Sequence, residues 1–130
     1  MILCLRTDGS LPELYLYNDE SKLIKEFTWQ ADRKLADELL PTIQQFLSDN
    51  DVELADLKGI IVFTGEGSFT GLRIGTTVAN TLAYSNGIPI VSSSGKNWIT
   101  LGLKKLSKAK AGEFITPKYS SEPNITKPKA

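Results

Sequence analysis

Apolar residues enter this chain first as short runs and only later as helical stripes. Residues 2–7 form a nearly continuous apolar run closed by Asp8-Gly9, which reads as a buried strand with a turn behind it. Residues 13–17 alternate and read as a second strand. Residues 23–29 alternate again, with Leu23, Lys25, Phe27 and Trp29 on one face and Ile24, Glu26 and Thr28 on the other. Short turns join the three, which predicts an antiparallel meander. The period then changes. Leu35, Leu39, Leu40, Ile43, Phe46 and Leu47 recur at three- and four-residue spacing, predicting an amphipathic helix from an Asp32 cap to about Ser48. Pro41 inside it removes the donor to the carbonyl of Asp37, so either a kink or a break into two short helices is expected. Residues 54–58 connect to a fourth strand at 59–63. A second helix spans 72–85 and stops at Asn86-Gly87. A short fifth strand at 88–91 precedes a third helix over 93–106, with Trp98, Leu101 and Leu103 or Leu106 inward. Alternating strands and helices demand parallel pairing through right-handed crossovers. The predicted fold is α/β: a mixed five-stranded sheet, antiparallel through strands 1-2-3 and parallel through 1-4-5.

The turn between the fourth strand and the second helix is Thr64-Gly65-Glu66-Gly67-Ser68-Phe69-Thr70-Gly71-Leu72-Arg73-Ile74-Gly75. Gly65, Gly67 and Gly71 permit positive φ and close backbone approach. Ser68 or Thr70 is placed to cap the helix, whose positive dipole end faces the loop. That geometry suits an anion. Against it, no lysine follows the glycines as in a nucleotide-binding loop, and Glu66 stands where a phosphate would sit. A tight structural turn is the competing reading. Arg73 is the basic residue of the stretch.

Residues 67–75, Gly-Ser-Phe-Thr-Gly-Leu-Arg-Ile-Gly, resemble the signature of the TsaB (YeaZ) family, Gly-x-Gly-Pro-Gly-Ser-Phe-Thr-Gly-Leu/Val-Arg-Ile-Gly, with Glu66 in place of the proline. Leu39-Leu40-Pro41 matches a Leu-Leu-Pro element of the family, and the likeness extends at lower density from residue 1 to about Leu103. The resemblance implies a ribonuclease-H-like lobe of the actin-like ATPase superfamily. It also implies a role beside the catalytic paralogue TsaD and the ATPase TsaE. Together these make N6-threonylcarbamoyladenosine at position 37 of tRNAs that read codons beginning with A. In that role the chain is a non-catalytic subunit that touches tRNA only through the complex and carries no cofactor, ATP belonging to its partners. Family members have two lobes, and the chain matches one. Its last residues resemble the family's tail, so loss of an internal second lobe is the expectation. Domain bounds of 1–107 for the lobe and 108–130 for a tail follow, with an edge strand at 113–117 and a flexible remainder.

Charge and missing residue types narrow the chemistry. Net charge is zero over 130 residues. Residues 1–56 hold 5 Lys/Arg and 12 Asp/Glu, and residues 57–130 hold 10 and 3, so the halves carry −7 and +7. The basic end lacks interleaved aromatics, which favours a solvated tail over an RNA contact. The absence of histidine removes Ser-His-Asp and Cys-His catalysis and most zinc sites, and with them a zinc peptidase. The single Cys4 fits a reducing compartment, and no apolar run spans a bilayer, so a cytoplasmic location is expected. The superfamily's metal-holding Asp on the first strand is matched by Arg6, and a family histidine in the first helix by Leu35. No catalytic or metal-binding residue is therefore assigned. The alternative is a small actin-like-fold enzyme that binds ATP through Gly65 to Gly71, and a scaffold for some other partner also stays open.

The second helix carries one more pattern. Gly71, Gly75, Ala79 and Ala83 recur every four residues as a stripe with almost no side chain, while Ile74, Val78 and Leu82 form a separate row suited to the sheet. With Leu72 and with Leu35, Leu39 and Ile43 of the first helix, the stripe is the expected partner interface, whether for TsaD or for a homodimer. An intramolecular contact is the competing reading. In the family the corresponding helices of TsaB and TsaD form a four-helix bundle.

Overall fold

The computed structural model describes residues 1–31, 34–65 and 69–115, Phe69 through its backbone alone. Strands β1 (Ile2–Arg6), β2 (Glu13–Tyr17) and β3 (Leu23–Thr28) form the meander. Then come α1 (Leu35–Asp49), a 3₁₀ turn (Leu54–Asp56), β4 (Gly59–Phe63), α2 (Phe69–Asn86), β5 (Ile90–Ser93) and α3 (Trp98–Leu106). The sheet order is β3-β2-β1-β4-β5. β2 runs antiparallel to β1 and β3, and β1–β4 and β4–β5 are parallel. This is the ribonuclease-H-like lobe expected from the pattern.

The period of two in each strand divides the core between the faces of the sheet. Leu3, Leu5, Leu14, Leu16, Ile60 and Val62 join the buried residues of α1 and α2 in one cluster. Cys4, Ile61, Phe63 and Val91 join Trp98 in the other. β4 is covered on both faces, and all five of its residues are buried. α3 lies close to the sheet because Gly102 has no side chain; a Cβ there would run into Ile61.

Several boundaries differ from the expected ones for local reasons. α1 is a single 15-residue helix with Pro41 inside it, not two. Leu39 before the proline and Ile43, Phe46 and Leu47 after it are buried in the same core, which holds the two halves together as one helix. Lys34 precedes α1 without a side-chain capping bond, and Asp32 lies outside the described residues. β5 begins later than expected because Ile88 serves the end of α2. Its N–H reaches the Ala83 carbonyl at 3.0 Å, and that of Gly87 reaches Tyr84 at 3.2 Å, with Gly87 at φ 63°. α3 begins at Trp98 because the Ser93 carbonyl is held in the sheet by the N–H of Thr64. Leu101 points outward rather than inward, and Trp98 and Gly102 form the buried row.

The expected edge strand at 113–117 is not formed by residues 113–115; Thr116 and Pro117 lie outside the described residues. The segment packs on α2 instead. The Asn80 side-chain amide donates to the Ile115 carbonyl at 2.9 Å and accepts from its N–H at 3.1 Å. Ile115 packs against the core, and Phe114 touches the Tyr84 ring. A side-chain amide thus supplies the pairing that a sheet edge was expected to supply.

Candidate functional site

The signature stretch joins the end of β4 to α2, beside the end of β1. Among its described residues, Gly65 and Gly75 serve close approach, and none of the glycines has a left-handed backbone. The positive-φ glycines among the described residues are Gly87, Gly95 and Gly112. Gly65 sits where a Cβ would press on Phe63 and Ser94. Gly71 and Gly75 lie inside α2, buried against β1. Thr7 explains Gly75, because its side chain fills the space a Cβ there would need, and its hydroxyl donates to the Gly71 carbonyl at 2.7 Å. Thr7 was missed in the sequence because a threonine closing an apolar run carries no pattern of its own. Thr70 is the second residue of the helix and therefore not its cap; Gly67 and Ser68 lie outside the described residues. Thr70 and Arg73 are exposed.

Arg6 stands at the end of β1. Its guanidinium donates to both Asp8 carboxylate oxygens, at 2.7 and 3.1 Å, and lies 3.8 Å from the centre of the Phe63 ring. The bond to Asp8 raises the Arg6 pKa, so a fixed cation occupies this corner. Below it, Phe63 and Tyr15 meet Trp98 edge-on at 5.6 and 6.0 Å. The Tyr15 hydroxyl donates to Glu13 at 2.6 Å; burial first, then that bond, pushes its pKa up. Burial pushes the Cys4 thiol up to about 12, which keeps it protonated and a poor nucleophile. No group of three or more His, Cys, Asp or Glu side chains able to hold a metal ion occurs among the described residues. No described helix is long and apolar enough to cross a membrane.

The expected interface residues are placed differently from the expectation. Leu39, Ile43, Ala79 and Ala83 are buried in the core on the α1–α2 side of the sheet, with Leu35 at its rim, and Leu72 is buried in the other core cluster. Gly71 and Gly75 are buried as well. All eight are used inside the fold. The small stripe brings α2 down onto the sheet, and Ile74 and Val78 are the half-buried pair. The outward side of α2 carries Thr70, Arg73, Thr77 and Thr81, with Tyr84 73% exposed beside Phe114 at 61%. α1 packs against α2 and turns Leu40 and Pro41 outward.

Residues 29–123 match the family model described as "TsaD: tRNA N6-adenosine threonylcarbamoyltransferase". The chain is 39% identical over 108 residues to the tRNA threonylcarbamoyladenosine biosynthesis protein TsaB of Bacillus subtilis, covering 77% of this chain and 47% of that one. It is 41% identical over 61 residues to a tRNA N6-adenosine threonylcarbamoyltransferase of Syntrophus aciditrophicus, covering 47% of this chain and 18% of that one. Among solved structures, YeaZ from Pseudomonas aeruginosa superposes with a TM-score of 0.65 at 27% identity, over 72% of this chain and 43% of that chain. The chain spans less than half the length of each of these relatives.

Proposed function

The chain belongs to the TsaB (YeaZ) family, and from that premise we propose that it serves tRNA threonylcarbamoyladenosine biosynthesis as a non-catalytic partner subunit of TsaD. The observation that carries this reading is that one lobe answers to both proteins. The TsaD-type model spans residues 29–123, and TsaB relatives match the same lobe. Two proteins built on one lobe can pair through equivalent faces in a pseudo-two-fold arrangement.

The docking surface in this reading is the outward ridge of α2, Thr70, Arg73, Thr77 and Thr81. Among these residues Arg73 is of a type enriched at protein interfaces, and the threonines flank it. TsaE joins through the TsaD pair, tRNA is reached through the complex, and the work is cytoplasmic. ATP is bound by the partners and not by this chain. Arg6 supports the non-catalytic part, since a paired cation at the end of β1 disfavours the metal ion that phosphate chemistry there would require.

The test is co-elution of the full chain with TsaD on size exclusion. Thr77→Arg and Thr81→Arg should each abolish co-elution and leave the far-ultraviolet dichroism unchanged. Normal co-elution of both variants overturns the docking surface, and failure of the unaltered chain to co-elute overturns the partner reading. Calorimetry with Mg-ATP should show no binding tighter than about millimolar, roughly 4 kcal/mol; micromolar binding would favour the ATP-binding enzyme instead.

A further inference from the structure

Among the described residues, β3 is the outer strand of the sheet and pairs on one side only, with β2. All six of its residues are exposed, and no described residue outside the sheet bonds its backbone. Leu23, Ile24 and Phe27 stand out among its exposed side chains. An edge of this kind is a template for another strand.

Beside it lies a crevice of about 320 Å³ between β3 and α1, lined by Phe27, Trp29, Pro41, Gln45, Phe46 and Asp49 among others. Phe27 stacks on Trp29 at 5.9 Å and on Phe46 at 6.2 Å, with interplanar angles of 19° and 27°. Asp49 is the charged residue that lines the crevice, and Lys25, two residues before Phe27 on the same face of β3, is the basic residue of that strand face. α1 contains Asp37, Glu38 and Asp49 and no basic residue. Asp49 is its last residue, so a carboxylate stands at the negative end of the helix dipole, where a cation is favoured. Gln45 donates to one Asp49 oxygen at 2.7 Å and brings no charge to offset it. Asp51 and Glu53 follow directly in sequence.

We propose that this crevice is the side-chain pocket of a strand-docking site. An extended segment of a partner protein pairs with the outer edge of β3 and lays an arginine over the stacked rings toward Asp49. The aromatic faces, the carboxylate and the helix end all attract the same cation. A guanidinium suits them better than an ammonium because it stacks flat and forks to a carboxylate. The free edge supplies backbone affinity and the pocket supplies selectivity, as in other strand-addition sites. The site is separate from the outward ridge of α2 and does not depend on its role.

The probe is a capped pentapeptide, Val-Thr-Arg-Thr-Val, titrated into the full chain and followed by nuclear magnetic resonance. Amides of residues 23–28 and the Trp29 indole should shift. A citrulline twin, equal in shape but uncharged, should bind about tenfold more weakly. A twin N-methylated on the pairing amides should not bind. Asp49→Asn should bring the arginine peptide down to the citrulline level without altering the melting temperature. Equal binding of the arginine and citrulline peptides, shifts confined to other residues, or no shift at millimolar peptide each overturn the proposal. So does a short single-stranded RNA that moves the same signals at lower concentration than the peptide.

Discussion

The two sides of α2 obey different rules. The inward side, with Gly71, Gly75, Ala79 and Ala83, is nearly bare and buried; the outward side, with Thr70, Thr77 and Thr81, is β-branched and exposed. Helix propensity favours neither, since glycine costs about 1 kcal/mol against alanine and threonine roughly half that. Thr81 and Ser85 bond back to the carbonyls of Thr77 and Thr81, at 2.9 and 2.7 Å. Such back-bonding occupies the side chain without strengthening the helix. α2 is therefore held by what its bare side touches, not by its own preference for helix. The bare side is tuned for close approach to the Thr7 corner of the sheet, and the outward side presents threonines with Arg73 as its one charged side chain.

Variants on the two sides separate these roles. Ala79→Arg, at a fully buried position, should cost roughly 4 kcal/mol or more and leave the chain unfolded by circular dichroism, because no carboxylate waits there to pair with it. Gly75→Ala should cost about 1–3 kcal/mol in urea unfolding although alanine is the better helix former, since its Cβ meets the Thr7 side chain. Thr7→Ala should cost about 1 kcal/mol by itself, through the bond to Gly71, yet should recover most of the loss when combined with Gly75→Ala. Simple additivity of the two would show that the clash is relieved elsewhere. Asn80→Ala, at the border between the sides, should lower stability by about 1 kcal/mol and speed amide exchange at Ile115. Thr77→Arg should change stability by less than about 0.5 kcal/mol while removing partner binding. A drop in melting temperature to match Ala79→Arg would mean that the outer side is structural too.

The strand directions and the order of the elements were legible because runs and alternations report burial directly. β4 reads as continuous apolar sequence for the same reason that all five of its residues are covered. Gly87 was legible because a left-handed residue at that point has few substitutes. The use of the small stripe was not. Repeats of glycine and alanine four residues apart state that something approaches closely and leave open whether it is a helix of another chain or the Thr7 corner of this sheet. Ile74 and Val78 misled in the same way: bulky apolar residues expected to face the sheet instead sit half-buried beside the bare row. Glu113 to Ile115 failed for another reason. Its strand-like composition is real, but an amide on α2 satisfies its backbone, and nothing local in the sequence announces Asn80 as that partner.

The central position of β1 has a consequence for the birth of the protein. β1 is made well before its parallel neighbour β4, which lies 57 residues later in register, Ile2 opposite Gly59, and the bond from Thr7 to Gly71 spans 64. Until those segments leave the ribosome, the meander exists with an open edge through Ile2, Leu3, Cys4 and Leu5 and no helix over one of its faces. At about 5–20 residues per second, that interval lasts several seconds. A nascent chain arrested before Gly59 is therefore a sticky object, whereas one released after Asn86 can close its edge and both register contacts at once.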